Sequence, residues 1–248
     1  NAVDLVILID ESWSMQDDNR LAKAKEAAHE IVNQMKENDR CAVIGFSWYS
    51  HYVQGFTSDK EALSEAIDKI RYDDGTDIEY GLRCAVDKFE DSERQKYIIL
   101  LSDGEDSTHS AAVAKQAGDK GIRIFAMMIG SGTLQMQNIA INSNGIYKNA
   151  PSSEDIGKIM SYFASEVFNV AGRNTTFRTT IKDKNSVDTS KITPEPSKIT
   201  ENEDGSVTLE WSFDRITIDE QKSIDIPLTV NAENGDFSEL IENTPCRS

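Results

Sequence analysis

Short, almost uninterrupted apolar runs that alternate with helical stripes constrain this fold more than any other feature. Residues 3–9 (VDLVILI), 97–101 (YIILL) and 122–129 (IRIFAMMI) each contain at most one charged side chain. Strands covered on both faces have this composition, whereas half-exposed strands alternate apolar with polar residues. Apolar residues at helical spacing separate the runs, beginning with Leu21, Ala24, Ala28 and Ile31. The alternation predicts a doubly wound α/β domain over residues 1–172, with a mainly parallel sheet and helices on both faces.

Weaker patterns complete this predicted domain. Residues 42–46 and 52–56 read as two strands of a hairpin, and Trp48 and Tyr49 between them are expected to pack in the core. Further helices are predicted around residues 58–70, 78–89, 111–118 and 153–167, with a short strand at 145–147. Ser58 and Glu61 have the spacing of a capping box that would begin the first of these helices.

After residue 172 the pattern becomes the strict alternation of half-buried antiparallel strands. It covers residues 177–181, 207–213 and 224–230, and Asp204-Gly205 and Asn234-Gly235 supply turn residues. We predict a C-terminal antiparallel β-sandwich-like module over residues 173–248. Three clear strands bury little apolar surface alone. We therefore hypothesise that strands upstream of Asn1 complete the module, and that the chain is part of a larger multi-domain protein.

The charge of the chain excludes several classes of partner. The net charge is −17 and the isoelectric point is near 4.6, which argues against nucleic acid and anionic lipid because both are polyanions. No apolar run approaches the ~20 residues of a membrane span. Three cysteines are too few for a disulfide scaffold. An acidic chain of this kind suits metal ions or a partner that carries cations.

Oxygen-bearing side chains follow the ends of the predicted strands. The first strand ends in Asp10, followed by Ser12 and Ser14, and the strand at 97–101 runs into Asp103. Thr76 lies in the loop before a helix. Open α/β sheets bind ligands beyond the carboxyl ends of their strands. Carboxylates and hydroxyls without cysteine or histidine suit a hard cation, Mg²⁺ or alternatively Mn²⁺ or Ca²⁺, rather than zinc or copper.

Residues 1–170 resemble the von Willebrand factor type A (VWA) family in the order and spacing of these motifs. The family's metal-ion-dependent adhesion site (MIDAS) combines Asp-x-Ser-x-Ser with a distant threonine and a distant aspartate. The pattern maps onto Asp10, Ser12, Ser14, Thr76 and Asp103. Two neighbours depart from it without removing a ligand. Trp13 stands where glycine is usual, and Asp77 stands where asparagine is usual.

The resemblance implies a metal-dependent adhesion module rather than an enzyme. In the family, the cation keeps one position open for a Glu or Asp carboxylate of a protein partner. A basic-rimmed partner would fit this chain best, because further carboxylates surround the motif: Glu11, Asp73, Asp74, Asp77, Glu105 and Asp106. Each of these six could equally be ordinary surface charge. Thr76 could likewise simply cap the following helix.

Two other functions stay open on the sequence alone. The resemblance also admits an intracellular assembly factor, since VWA domains serve in chelatase-like machines that grip a partner ATPase. A metal-dependent hydrolase is the more remote alternative, because no general base accompanies the motif. The adhesion hypothesis predicts an extracellular or cell-surface protein, and the assembly hypothesis a cytoplasmic one. The cysteine-poor composition, rich in lysine, asparagine, aspartate and isoleucine, leans towards a bacterial source.

Overall fold

Two units make up the chain, Asn1–Phe168 and Asn169–Ser248. The computed structural model describes residues 2–104, 109–131, 134–217, 221–229 and 241–247. The boundary predicted after residue 172 falls within the first strand of the second unit, Val170–Ile181. None of the helices among the described residues is long and apolar enough to cross a membrane.

A six-stranded sheet forms the centre of the first unit. In chain order its strands are β1 (Val3–Asp10), β2 (Arg40–Phe46), β3 (Ser50–Thr57), β4 (Gln95–Ser102), β5 (Ile122–Ile129) and β6 (Ile146–Ala150). Their order in space is β3-β2-β1-β4-β5-β6. All neighbours are parallel except β2 and β3, which form an antiparallel hairpin. The mainly parallel, doubly wound sheet predicted from the sequence is confirmed. Its strand order reverses between β1 and β4, where ligands bind in such sheets.

In the described part of this unit, six α-helices cover the two faces of the sheet. They are α1 (Arg20–Gln34), α2 (Lys60–Lys69), α3 (Ile78–Val86), α4 (Ser110–Asp119), α5 (Leu134–Asn142) and α6 (Ile156–Phe168). The apolar stripes of α1, α2 and α6 pack on one face, and those of α3, α4 and α5 pack on the other. The N-cap of α2 is Asp59, whose carboxylate accepts from the backbone of Ala62, so the capping box predicted at Ser58 is wrong.

The central position of β1 in the sheet explains why its sequence is almost entirely apolar. Leu5, Ile7 and Ile9 lie in the core beneath α1, α2 and α6. Val6 and Leu8 point into the opposite core. Successive side chains of a strand alternate between faces, so a strand with helices on both sides must be apolar at almost every position.

Asp4 is the charged residue within the apolar run of β1, and two arginines neutralise it. Its side chain is buried, with Oδ2 2.7 Å from Nη2 of Arg40 and Oδ1 2.5 Å from Nε of Arg94. Burial alone would raise the pKa of this carboxyl, but the hydrogen bonds and charges of the two arginines lower it overall. The pair of arginines therefore holds the amino end of the sheet together through one buried charge.

The second unit contains an antiparallel four-stranded sheet in the order β10-β7-β9-β8. Its strands are β7 (Val170–Ile181), β8 (Lys198–Glu201), β9 (Val207–Thr217) and β10 (Ile241–Arg247). Trp211 anchors the core, packing near Phe177 and donating from Nε1 to the carbonyl of Pro194 at 2.8 Å. The antiparallel character of this region agrees with the sequence analysis, and the sandwich and its completion by upstream strands remain predictions.

The third predicted strand of this unit is not regular. Within residues 221–229, only isolated bridges join Thr193 with Asp225 and Val187 with Leu228. The turn predicted at Asn234-Gly235 lies outside the described residues. Ile224, Ile226 and Leu228 nevertheless pack against the core of the unit, which accounts for their alternation in the sequence.

Candidate metal site

The carboxyl ends of β1 and β4 bring two aspartates side by side. These strands are parallel neighbours, with Ile9 opposite Leu101, so the chain leaves the sheet at the same edge in both. Asp10 ends β1, and Asp103 follows Ser102 at the end of β4. The hydroxyl of Ser102 donates to Oδ2 of Asp10 at 2.5 Å and links the two ends.

A chain of hydrogen bonds connects four of the five side chains identified in the sequence. The backbone N–H of Ser12 donates to Oδ1 of Asp10 at 2.8 Å. Ser12 Oγ and Ser14 Oγ are 3.0 Å apart, and Ser14 Oγ donates to Oδ1 of Asp103 at 2.7 Å. Because a hydroxyl carries a single proton, Ser12 must be the donor to Ser14. The fully buried Met15 anchors this segment in the core. Ser12 is itself buried, whereas Ser14 is exposed.

Thr76 lies at the same end of the sheet, in a loop that hydrogen bonds join to Glu11 and to Ser47. The N–H of Asp73 donates to the carbonyl of Glu11 at 2.7 Å, and Ser47 Oγ donates to Asp73 Oδ2 at 2.8 Å. Gly75 turns the chain at φ +81°, and Thr76 then lies against Gly104, its Oγ1 3.4 Å from the position of a methyl group at that glycine.

The helix-capping alternative for Thr76 is wrong. Asp77 is the N-cap of α3, and its Oδ1 accepts from the N–H of Tyr80 at 2.8 Å. The Thr76 hydroxyl is therefore not needed to begin the helix, and it lies beside Gly104, the residue that follows Asp103.

Burial and charge make Asp10 and Asp103 different from each other. Burial raises the pKa of Asp10 to about 6, even though hydrogen bonds from Ser102 and Ser12 favour its charged form. The buried carboxylate of Asp103 instead has a cation beside it, with Oδ2 2.6 Å from Nη1 of Arg20. The protein surroundings of Asp10 therefore stabilise its charged form only in part.

The set of donors suits a hard divalent cation. Two aspartates and two serines are linked by hydrogen bonds at this end of the sheet, and Thr76 lies beside Gly104. Oxygen is the element that Mg²⁺, Mn²⁺ and Ca²⁺ prefer as a ligand. Among the described residues, no three histidine, cysteine or carboxylate side chains come together as a metal site. A site built from the described residues would therefore rely on hydroxyls as well as carboxylates. A cation next to Asp10 would also supply the missing counter-charge for that buried group.

Glu11 has an environment that the sequence did not reveal. It was expected among the charges around the motif, with surface charge as the alternative, but only 2% of it is exposed. One oxygen accepts from the N–H of Arg71 at 3.3 Å. The other accepts no hydrogen bond among the described residues and lies 3.3 Å from Nδ1 of His51. Burial, assisted by the nearby charges of Asp73 and Asp10, raises the pKa of Glu11 to about 7.

The other carboxylates around the motif have ordinary roles or lie outside the description. Asp73 is exposed, and bonds from the N–H of Asp74 and the hydroxyl of Ser47 lower its pKa. Asp74 is exposed, and Asp77 caps α3. Glu105 and Asp106 lie outside the described residues.

Two aromatic residues contradict the expectation of core packing. Trp48 is 58% exposed and Tyr49 is 76% exposed, at the turn between β2 and β3. Trp48 lies over Gly75 and leaves no room for a side chain there. Trp13, inside the Asp-x-Ser-x-Ser segment, is also exposed, and its ring stacks on that of Tyr72. A turn can carry aromatic residues outward, and sequence spacing alone does not show which way they point.

The fold and the arrangement at its edge define a class of protein. A family model for the von Willebrand factor type A domain matches residues 4–162. The match covers more than half of the chain, which therefore belongs to the VWA family.

Relatives with known sequences match part of the chain. Matrilin-1 from Gallus gallus is 29% identical over an alignment of 143 residues, which covers 53% of this chain and 29% of matrilin-1. The chain spans between 25% and 46% of the length of the curated relatives it matches.

Two solved structures share the fold. BatB, a conserved hypothetical protein from Bacteroides thetaiotaomicron, is 25% identical with a TM-score of 0.60 over 66% of this chain and 98% of BatB. Proximal thread matrix protein 1 from the mussel byssus is 25% identical with a TM-score of 0.61 over 67% of this chain and 46% of its own. It was solved with zinc in its MIDAS motif, so a VWA site can hold zinc, despite the preference inferred from ligand hardness.

Proposed function

We propose that this chain is a non-enzymatic, metal-dependent protein-binding module. A divalent cation, Mg²⁺ in the resting protein, is held by Asp10, Ser12, Ser14, Thr76 and Asp103. One coordination position accepts a Glu or Asp carboxylate of a protein partner. The observation that carries the proposal is the hydrogen-bonded chain from Asp10 through both serines to Asp103 at the sheet edge.

The chemistry of the donors supports an open position for an anion. Three of the five donors are neutral hydroxyls, and Arg20 offsets part of the charge of Asp103, so a divalent cation among them keeps part of its positive charge. An anionic ligand from outside then completes the coordination better than water does. The partner surface around that carboxylate should be basic, because this chain carries a net charge of −17.

The family and its members support binding rather than catalysis. The chain belongs to the VWA family, and one structural relative is a matrix protein of the mussel byssus with zinc at this motif. We accordingly place this chain outside the cell or on its surface. Protease added to intact cells of the source organism should then digest it, and protection until the cells are lysed would favour the cytoplasmic assembly function.

Thermal unfolding tests the metal site. In EDTA, and then with Mg²⁺, Mn²⁺, Ca²⁺ or Zn²⁺, a cation at about 100 times its Kd should add about 2.7 kcal/mol, a shift of several degrees. The shift should vanish in Ser12→Ala/Ser14→Ala, which should still fold because Ser12 follows β1 and Ser14 lies in the short 3-10 helix Trp13–Asn19, so neither side chain belongs to the apolar cores of the sheet. The control Asp119→Ala removes an exposed carboxylate on α4 and should keep the shift. An equal shift in all three proteins would contradict the proposal.

Water relaxation tests the open position. With Mn²⁺ bound, millimolar glutarate should displace a metal-bound water and lower the proton relaxivity, because its carboxylate takes that position. Glutaramide has the same length without charge and should leave the relaxivity unchanged. If both compounds have the same effect, the cation has no position for a partner carboxylate.

A further inference from the structure

Exposed aromatic side chains gather at the same edge of the sheet as the candidate metal ligands. Among the described residues, nine large apolar side chains are exposed. Five of them lie in or next to the loops of the metal site: Trp13, Trp48, Tyr49, Tyr72 and Tyr80. Soluble proteins rarely concentrate apolar surface in this way without a binding role. We call these five residues the aromatic rim.

Two contacts tie the aromatic rim to the ligand-bearing loops. On one side, Trp13 stands between Ser12 and Ser14, and its ring stacks on Tyr72 with centroids 6.0 Å apart and planes 12° apart. Asp73 follows Tyr72 and forms a bridge with Ser12.

On the other side, the indole of Trp48 covers Gly75, directly before Thr76. The N–H of Trp48 donates to the carbonyl of Asp74 at 3.3 Å, which holds the turn against this loop. The aromatic rim therefore flanks the candidate metal ligands on two sides.

The negative charges beside these rings indicate which kind of partner group would bind over them. The loop between the two aromatic groups carries Asp73 and Asp74, both exposed. A purely apolar partner would desolvate these carboxylates without a counter-charge, at a cost in free energy. A guanidinium or ammonium group instead gains from the faces of the rings and from the carboxylates together.

We propose that the aromatic rim binds arginine or lysine side chains adjacent to the metal-coordinating carboxylate of a partner. The occupant is a segment of another protein in which a Glu or Asp is flanked by basic residues. This inference rests on the proposed function, since the carboxylate sets the position of the segment.

Fluorine NMR of the protein labelled with 5-fluorotryptophan tests the inference. Of the three tryptophans, Trp13 and Trp48 are exposed, whereas Trp211 is buried and serves as an internal reference. The probe is the peptide acetyl-Gly-Ser-Arg-Glu-Arg-Ser-Gly-amide, added with Mg²⁺. We expect it to shift the signals of Trp13 and Trp48 and leave that of Trp211 in place.

Two altered peptides separate the inference from the function on which it rests. Citrulline in place of both arginines keeps the shape but removes the charge, and should weaken binding about five- to thirtyfold. Glutamine in place of the glutamate should abolish metal-dependent binding. Equal affinity of the citrulline and arginine peptides would overturn the inference. The proposed function would survive that result if EDTA and the glutamine peptide still abolished binding.

Protein variants provide a second readout. Trp13→Leu and Trp48→Leu should each reduce the preference for arginine over citrulline, whereas Tyr162→Leu, an exposed aromatic on α6, should retain it. No binding of the arginine peptide at millimolar concentration would also overturn the inference. The thermal shift with Mg²⁺ would then decide separately whether the metal site exists.

Discussion

Arg20, the first residue of α1, places its guanidinium 2.6 Å from the buried carboxylate of Asp103. Its Nη1 bonds Oδ2, which leaves Oδ1 to Ser14. A fixed positive charge thus stands beside one of the proposed ligands. It stabilises the metal-free protein and opposes a second cation nearby.

Arg20→Gln should make the protein without metal less stable and more responsive to metal. Loss of the partner of a buried carboxylate costs about 2 kcal/mol, or about 4–8 °C for a domain of this size. In EDTA the Tm should fall by that amount, and the increase in Tm on adding Mg²⁺ should exceed that of the wild type. The control Arg83→Gln breaks an exposed pair with Glu79 and should change neither value by much. A smaller Mg²⁺ increment in Arg20→Gln would mean that Arg20 chiefly orients Asp103 for the metal.

Glu11→Gln should alter the pH dependence of stability in EDTA. The folded-state pKa of Glu11 is about 7, above its usual value of 4.5, so the native state keeps a proton that the unfolded state releases. Stability from this group therefore decreases as the pH rises between those values and stays low above them. The free energy of unfolding of the variant minus that of the wild type should therefore be larger at pH 8 than at pH 5.5. Glu65→Gln alters an exposed carboxylate and serves as the control. If the stability difference between Glu11→Gln and the wild type did not change with pH, the raised pKa of Glu11 would be contradicted.

Asp4→Asn should have the opposite pH dependence. The pKa of Asp4 is lowered from 3.8, so its ionised form contributes stability above that pH and loses it as the pH falls through the folded-state value. At pH 7 the variant should lose about 2–3 kcal/mol, because Arg40 and Arg94 lose their shared carboxylate. Chemical denaturation should show this deficit shrinking at acidic pH below 3.8. A deficit that persists unchanged would show that the ion pairs are not its source.

Gly75→Ala should weaken metal binding as well as stability. Gly75 has φ +81° and lies beneath the indole of Trp48, so a methyl group there must displace the loop that carries Thr76. Gly205 has φ +86° with open space around it, which makes Gly205→Ala a matched control for backbone strain. Both variants should lose about 1 kcal/mol from the positive φ. Only Gly75→Ala should also reduce the Mg²⁺ increment in Tm, and equal increments would argue against a role for Thr76.

The parts of the fold that the sequence predicts best are those in which burial alone determines composition. β1, β4 and β5 are covered on both faces, and their apolar runs identify them directly. The short edge strand Lys198–Glu201 carries only one large apolar residue, so it has no pattern to detect. Ile224, Ile226 and Leu228 alternate with polar residues because they pack on the core, although only isolated bridges form within residues 221–229.

The candidate site was predictable to the extent that its residues stand at strand ends. Asp10 and Asp103 follow neighbouring parallel strands, and this register brings them together whatever the loops do. The burial of Glu11 and the exposure of Trp48 depend instead on the hydrogen bonds that join the loop at residues 72–76 to Glu11 and Trp48. Those contacts are tertiary, and no local spacing encodes them.

Paramagnetic broadening by Mn²⁺ tests most directly whether the five residues form one cation site. With amide signals assigned and a small amount of Mn²⁺ added, signals of Ser12, Ser14, Thr76 and Gly104 should disappear first. Those of Asp119 and Gly121, which lie before the amino end of β5, should stay sharp, and excess Mg²⁺ should restore the lost signals. Broadening centred elsewhere, or spread evenly over the acidic surface, would contradict a metal site at the junction of β1 and β4.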